Sequence, residues 1–282
     1  MVGVHLVGRG DGRDRDHAGS REPRLRSTAV EPVAAHQALA FQVVDDDLGV
    51  RLAAVHARID RAAEDAGRSP ADVALLLATK TQPAGTVRAA VLAHRALGVT
   101  RRLLLGENRV QELVAKGPEL AELALPLHLI GPLQANKVNA ALRFADAVDS
   151  VESLDLARRL SDRCAGRDRP LEVMVQVNVS GEPTKHGVPP AVAVETAVAV
   201  AGLPGLRLIG LQTVGARSSD AAAVRAGYAV LARLRDGVLS SGAPGTAGAV
   251  ELSMGMSGDL ETAIGEGATV VRIGTAVFGA RG

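Results

Sequence analysis

From about residue 46 onward, the chain alternates between short apolar runs and longer segments with helical periodicity. Several runs are continuous in Val, Leu and Ile, as expected for parallel strands that are buried on both faces. The pattern therefore predicts eight parallel strands, over Val73–Lys80, Arg102–Glu107, Leu127–Leu133, Ala147–Val151, Leu171–Ser180, Leu206–Gly215, Ala249–Ser257 and Thr269–Gly279.

Helical periodicity fills the gaps between these runs. A leading helix is predicted from Leu48 to Ala66, because Gly67 and Pro70 follow it as stop signals. Eight strand–helix units that close on themselves form a single α/β domain, the (β/α)8 or TIM barrel. A doubly wound open sheet is the alternative, and the count of eight argues against it. The last predicted strand ends close to the end of the sequence, so we expect no second domain. The other helices are predicted over Ala84–Leu97, Gln111–Leu123, Gln134–Phe144, Ser153–Cys164, Ala191–Ala201, Ala221–Leu239 and Asp259–Glu266.

Residues 1–45 differ from the rest of the chain. Six Arg, three Asp and one Glu lie between Gly8 and Arg26, without a helical or strand period. Such a segment cannot bury enough apolar surface to offset its ordering entropy. We therefore predict a disordered N-terminal extension over residues 1–45 and a barrel over residues 46–282.

Composition and charge exclude several classes of function. The net charge is +1 and the chain has three Phe, one Tyr and no Trp, which disfavours a nucleic-acid partner. No run of 18 uncharged apolar residues is present, so no membrane span is expected. The single cysteine, Cys164, cannot form an internal disulfide and suits a reducing cytoplasm. We expect a cytoplasmic monomer.

Candidate chemistry lies where the predicted strands end, because barrel active sites lie at that face. The first strand ends at Lys80. A lysine that is partly desolvated there has a lowered pKa and can form a Schiff base, although a lysine that merely reaches solvent from a strand end is the simpler interpretation. Asn108 follows the second strand among other polar residues, which could equally be turn or capping residues.

The ends of the last two strands indicate a phosphate site. Ser257 follows the seventh strand, and Gly274 and Thr275 follow the eighth. Barrels often bind phosphate at these two loops, where glycine lets the backbone approach and hydroxyls donate hydrogen bonds. Ser257 could also be a helix N-cap alone. A phosphate site together with a candidate Schiff-base lysine is the layout that pyridoxal 5'-phosphate (PLP) requires, whereas no nucleotide-binding loop or metal-ligand spacing is present in the sequence.

Seven motifs that occur in family order resemble the pyridoxal phosphate homeostasis proteins, the YggS/PROSC family, from about residue 48 to the end. They are ATKTQP at Ala78–Pro83, GENRVQE at Gly106–Glu112, HLIGPLQANK at His128–Lys137, VQVN at Val175–Asn178, GLQ at Gly210–Gln212, LSMGMS at Leu252–Ser257 and VRIGTAVFGAR at Val271–Arg281.

This resemblance implies a barrel like the N-terminal domain of alanine racemase, with PLP held as a Schiff base on Lys80 and no established enzymatic turnover. It implies a role in PLP homeostasis, with PLP-dependent apo-enzymes as possible recipients. It further implies that Asn108 lies near the cofactor ring and that Arg272 faces the pyridine nitrogen. By the same resemblance, Ser257, Gly274 and Thr275 hold the phosphate.

The sequence departs from the family pattern at Leu105, where Phe is common, and at Arg109, where Tyr is common. These differences affect the packing expected near the cofactor ring but not the attachment expected at Lys80.

The alternative function is a PLP-dependent amino-acid racemase. Racemases with this barrel carry a second domain that supplies another base. The only tyrosine of this chain, Tyr228, lies in a helix predicted to be on the surface, which does not place it at the barrel mouth as that base.

Overall fold

The computed structural model describes residues 33–182, 184–215 and 220–279, with side chains described from Asp47 onward. Its central feature is a closed barrel of eight parallel strands that are neighbours in chain order. The predicted (β/α)8 barrel is therefore confirmed. The strands are β1 (Ala74–Ala78), β2 (Leu103–Glu107), β3 (Leu127–Leu129), β4 (Ala147–Val151), β5 (Leu171–Gln176), β6 (Leu206–Gln212), β7 (Glu251–Ser253) and β8 (Val270–Ile273).

Helices follow the strands in alternation. Most begin within one residue of the predicted position, because the apolar periodicity that defines them is also the face that packs on the barrel. They are α1 (Val33–Asp65), α2 (Ala84–Ala96), α3 (Val110–Ala121), α4 (Val138–Ala141), α5 (Leu154–Cys164), α6 (Pro190–Ala201), α7 (Ala221–Ser240), α8 (Leu260–Gly265) and α9 (Thr275–Phe278).

Side chains of each strand alternate between two buried layers, since successive strand residues point to opposite faces. Leu75 and Leu77 belong to the large core between the strands and the helices, whereas Leu76 belongs to a small cluster inside the barrel. Leu76 pairs with Arg272 across β1 and β8, which places Arg272 on the inner face as well. The barrel interior thus contains both apolar side chains and the buried guanidinium of Arg272.

Strands β3, β5, β6 and β7 and helix α4 are shorter than predicted, and two further elements differ more strongly. Helix α1 begins at Val33 and not at Leu48, so residues 33–45 have a helical backbone where disorder was predicted. That stretch contains four Ala, two Gln and one Leu, which are strong helix formers, beside three Val. Residues 1–32 lie outside the described residues, and the disorder predicted for them stays a prediction.

The second difference concerns the end of the chain. The eighth strand was predicted to run from Thr269 to Gly279, but β8 ends at Ile273 and Thr275–Phe278 form the short helix α9. The carbonyl of Gly274 accepts hydrogen bonds from the N–H groups of Val277 and Phe278. The chain therefore turns at the mouth of the barrel and does not continue along it.

Candidate functional site

The six predicted site residues lie on one continuous arc of the barrel. Strand β8 pairs with both β7 and β1, and β1 pairs with β2. Each residue lies on one of these four strands or at its C-terminal end, which is the end where barrel enzymes bind ligands. Ser257 follows β7, Arg272 is in β8, Gly274 and Thr275 follow β8, Lys80 follows β1, and Asn108 follows β2.

Lys80 lies in a tight turn directly after β1. Thr79 still pairs with β2, because its N–H donates to the Gly106 carbonyl at 2.9 Å. The N–H of Gln82 then donates to the Thr79 carbonyl at 3.0 Å, which closes a four-residue turn with Lys80 in its second position. Lys80 is half-buried. The turn therefore fixes the backbone of Lys80 at the C-terminal end of β1.

Asn108 is held at the end of β2 by close backbone packing. A Cβ on Gly131, in the loop after β3, would lie only 2.1 Å from the Asn108 carbonyl oxygen. The Gly131 carbonyl in turn accepts a hydrogen bond from the Ser150 hydroxyl at 2.7 Å. Asn108 itself is half-buried. Glycine at position 131 is therefore required for the position that Asn108 adopts.

The loops after β7 and β8 are joined through Ser257. Its hydroxyl oxygen accepts a hydrogen bond from the N–H of Ala276 at 3.2 Å. Thr275, the residue before Ala276, is exposed, and apart from its chain neighbours nothing lies within 4 Å of where a Cβ on Gly258 would be. Two residues with hydroxyl groups thus belong to loops that meet at the C-terminal ends of β7 and β8. This arrangement fits a phosphate group, which needs hydrogen-bond donors and close backbone approach.

The loop after β7 is braced from behind. Asp259 accepts hydrogen bonds from the Met256 N–H at 2.6 Å and from the Tyr228 hydroxyl at 2.8 Å. On the other side, the Arg58 guanidinium donates to the Ser257 carbonyl at 3.0 Å. These contacts fix the backbone of the loop and leave the Ser257 hydroxyl directed to α9.

Arg272 lies inside the barrel and is 6% exposed. Its guanidinium donates to the Ser253 hydroxyl at 2.8 Å and to the Thr213 carbonyl at 2.7 Å. Burial lowers the pKa of Arg272 below its ordinary value, while Tyr228, Asp149 and Asp259 act in the opposite direction. A guanidinium remains charged at neutral pH, so it can only donate hydrogen bonds to a ligand.

The amine, the two hydroxyls and the buried guanidinium match the aldehyde, phosphate and ring nitrogen of PLP in chemical type. They also lie on or directly after four adjacent strands of the barrel. The residues present therefore fit this cofactor.

Several supporting residues could not be found by sequence reasoning. Tyr228 was expected in a surface helix, but its side chain is fully buried, although α7 covers the predicted range. Thr213 and Ser253 hold Arg272, and Asp259 braces the Ser257 loop. Ser253 lies in the motif LSMGMS and Asp259 begins a predicted helix, but no sequence pattern indicates the contacts that these residues make.

The two departures from the family pattern do not disturb the barrel interior. Leu105 is fully buried in the core between strands and helices, and Arg109 is exposed at the start of α3. Neither belongs to the cluster of apolar residues inside the barrel. Within the described ranges, no helix is long and apolar enough to cross a membrane, and no group of three or more His, Cys, Asp or Glu could hold a metal ion.

Comparison with known proteins identifies relatives of this chain. Residues 50–282 match the family of the alanine racemase N-terminal domain. A pyridoxal phosphate homeostasis protein of Pseudomonas aeruginosa is 47% identical over 230 residues, which cover 82% of this chain and 94% of the relative. The structure of PipY from Synechococcus elongatus with PLP bound is 31% identical, with a TM-score of 0.68, and the match covers 82% of this chain and 100% of PipY. An alanine racemase of Clostridium difficile is 18% identical, with a TM-score of 0.63 over 84% of this chain and 57% of the racemase, and shares the fold.

Proposed function

Since this chain belongs to the pyridoxal phosphate homeostasis protein family, we propose that it binds PLP at the mouth of the barrel and serves intracellular PLP homeostasis. The observation that carries this proposal is the arc β7–β8–β1–β2, on which all six candidate residues lie at or near the strand ends. The PLP in the PipY structure, a relative with the same fold, supports the identity of the ligand.

Each residue has a separate role in this proposal. The Lys80 amine would hold PLP through the cofactor's aldehyde carbon, as a Schiff base. Ser257, Gly274 and Thr275 bind the phosphate. Arg272 donates to the pyridine nitrogen, and Asn108 contacts the ring. When bound, PLP supplies an electron sink for bonds at an amino-acid α-carbon.

We further propose that the protein holds PLP without turnover of amino acids. A guanidinium that only donates leaves the pyridine nitrogen unprotonated, which weakens the ring as an electron sink. Racemisation also needs a second acid or base on the opposite face of the substrate. The only tyrosine of the chain, Tyr228, is buried and bound to Asp259, and its pKa is raised by burial and by that carboxylate.

The alternative function, amino-acid racemisation, rests on a likeness to alanine racemases at 18% identity, which concerns the fold alone. In our proposal the bound cofactor passes to PLP-dependent apo-enzymes, because PLP held by a reversible Schiff base can exchange with solution. The protein acts as a cytoplasmic monomer in this account.

Titration of the purified protein with PLP, followed by visible absorbance, tests cofactor binding. Holo-protein should then activate a PLP-dependent apo-enzyme that is present in excess. Incubation with both enantiomers of alanine, serine and lysine tests turnover. Typical enzymes turn over at roughly 1 per second or faster. A racemisation rate above that value, lost in Lys80→Ala, would contradict the homeostasis proposal and support the racemase alternative.

A further inference from the structure

The turn that carries Lys80 is strained. Thr81, the residue after Lys80, has a φ of +65°. Branching at Cβ makes this left-handed conformation unfavourable for threonine, and such a residue persists only where surrounding contacts hold it. The position is the third of the turn, where glycine or asparagine is preferred when φ is positive. Contacts from neighbouring elements must therefore hold the turn.

A single buried ammonium group joins both ends of the turn. Lys116, on α3, donates to the carbonyls of Thr79 at 2.9 Å and Gln82 at 3.1 Å. Its Nζ also lies 2.5 Å from Oε1 of Glu107, the last residue of β2. A lysine ammonium has three N–H donors. Three acceptors therefore match its three donors.

Two carboxylates complete this set of contacts. Oε1 of Glu107 accepts the Thr79 hydroxyl at 2.5 Å, and Oε2 of Glu112 accepts the N–H of Thr81 at 2.6 Å. The Glu107 side chain is fully buried, and its Oε2 has no hydrogen-bond partner among the described residues. Burial raises the pKa of Glu107, and the hydrogen bonds from Lys116 and Thr79 oppose this effect. A buried charged pair of this kind specifies a conformation more than it adds stability.

Glu107, Lys116 and Glu112 lie on the helix side of the barrel wall, behind the site and not within it. Thr79 continues the strand positions of β1 that face the helices, as Leu75 and Leu77 do. Lys116 and Glu112 are on α3, on the helix side of the barrel wall. Lys80 is the next residue after Thr79 and lies inside the turn whose two ends Lys116 joins. Contacts behind the strand end can thus fix the backbone of Lys80 without contacting a ligand.

We propose that Glu107, Lys116 and Glu112 form a clamp that positions Lys80 for attachment of the PLP aldehyde. They are positioning residues, because each acts through the backbone or hydroxyl of the turn residues Thr79, Thr81 and Gln82. This inference rests on the proposed function. Its specific content is that the clamp governs the covalent step and leaves phosphate binding at β7 and β8 unaffected.

The test compares PLP with pyridoxine 5'-phosphate, which keeps the ring and the phosphate but has an alcohol in place of the aldehyde. In Lys116→Met, the apparent affinity for PLP should fall about 10- to 100-fold, as expected for a reactive group displaced by about 1 Å. The affinity for pyridoxine 5'-phosphate should change less than about twofold. The matched control is Arg88→Met, which breaks an exposed ion pair with Glu122 between α2 and the end of α3. It should leave the affinity for both ligands unchanged.

A second pair of variants covers the case in which Lys116→Met fails to fold. Glu112 is partly exposed, so the Glu112→Ala protein should fold. Its affinity for PLP should be about fivefold lower, because the hydrogen bond from the Thr81 N–H is lost. Adding Thr81→Asn should restore affinity, because asparagine tolerates a positive φ without that contact.

The outcomes separate the two proposals. If the wild-type protein forms no Schiff base on Lys80, the proposed function fails and the clamp with it. If the wild-type protein forms it and the clamp variants form it equally well, only the clamp is overturned. An equal loss of PLP and pyridoxine 5'-phosphate in the folded variants would also overturn the clamp, since it would show a general structural role.

Discussion

Replacement of Gly131 by alanine should damage both the fold and the site. The added Cβ would lie 2.1 Å from the carbonyl oxygen of Asn108 and 2.9 Å from its carbonyl carbon and Cα. All three are backbone atoms at the end of β2, so no side chain can rotate away. Forcing one methyl group into a packed position costs about 1–3 kcal/mol. For a domain of this size, that corresponds to a fall in Tm of about 3–10 °C.

Thermal and urea unfolding, followed by circular dichroism, measure the stability of Gly131→Ala, and PLP titration measures the site. PLP affinity should fall as well, because the clash moves Asn108 away from the cofactor ring. Gly85→Ala is the matched control. It adds the same methyl group on α2 with nothing within 4 Å, and it should leave stability unchanged or slightly higher. A Gly131→Ala protein as stable as the control, with unchanged PLP affinity, would refute the packing argument.

Three further predictions concern other parts of the molecule. Thr275→Ala should weaken PLP binding about 10- to 150-fold, because a hydrogen bond to a charged phosphate is lost. The affinity for pyridoxal, which has no phosphate, should stay constant, and an equal loss for both ligands would show that Thr275 does not bind the phosphate. The pKa of His56 is lowered to about 4 by burial, His94 and Arg101, so the unfolded chain binds a proton below pH 6.5 that the folded protein does not. The free energy of unfolding should therefore fall by roughly 2–3 kcal/mol between pH 6.5 and 4, and His56→Gln should flatten that slope in urea titrations. A chain that begins at Asp46 should fold and bind PLP as the full chain does, and a large loss of Tm or affinity would show that residues 1–45 contribute.

The barrel could be predicted from the sequence because its strands are buried on both faces. Runs such as Leu103–Glu107 and Ala147–Val151 leave little ambiguity, and both strands begin or end within one residue of the prediction. The end of β8 could not be predicted, because Thr275 and Val277 favour a strand by propensity. Hydrogen bonds to the Gly274 carbonyl make a helix there, and this contact has no local signal.

The site was predictable in part for a similar reason. Lys80 and Asn108 follow strands directly, so the strand pattern alone indicates their common face. The clamp residue Lys116 lies within a helix pattern, and nothing in the sequence distinguishes it from an ordinary surface lysine. Its contacts with Thr79 and Glu107 depend on how α3 packs against two strands, which only the folded structure specifies.

The most direct test of the account is the site of PLP attachment. Borohydride converts the Schiff base into a stable secondary amine, and peptide mass analysis then locates the pyridoxyl group among the four lysines, at positions 80, 116, 137 and 185. We expect the label on Lys80 in the wild-type protein and no label in Lys80→Ala. A label on Lys116, Lys137 or Lys185 in the wild-type protein, or no label at saturating PLP, would contradict it.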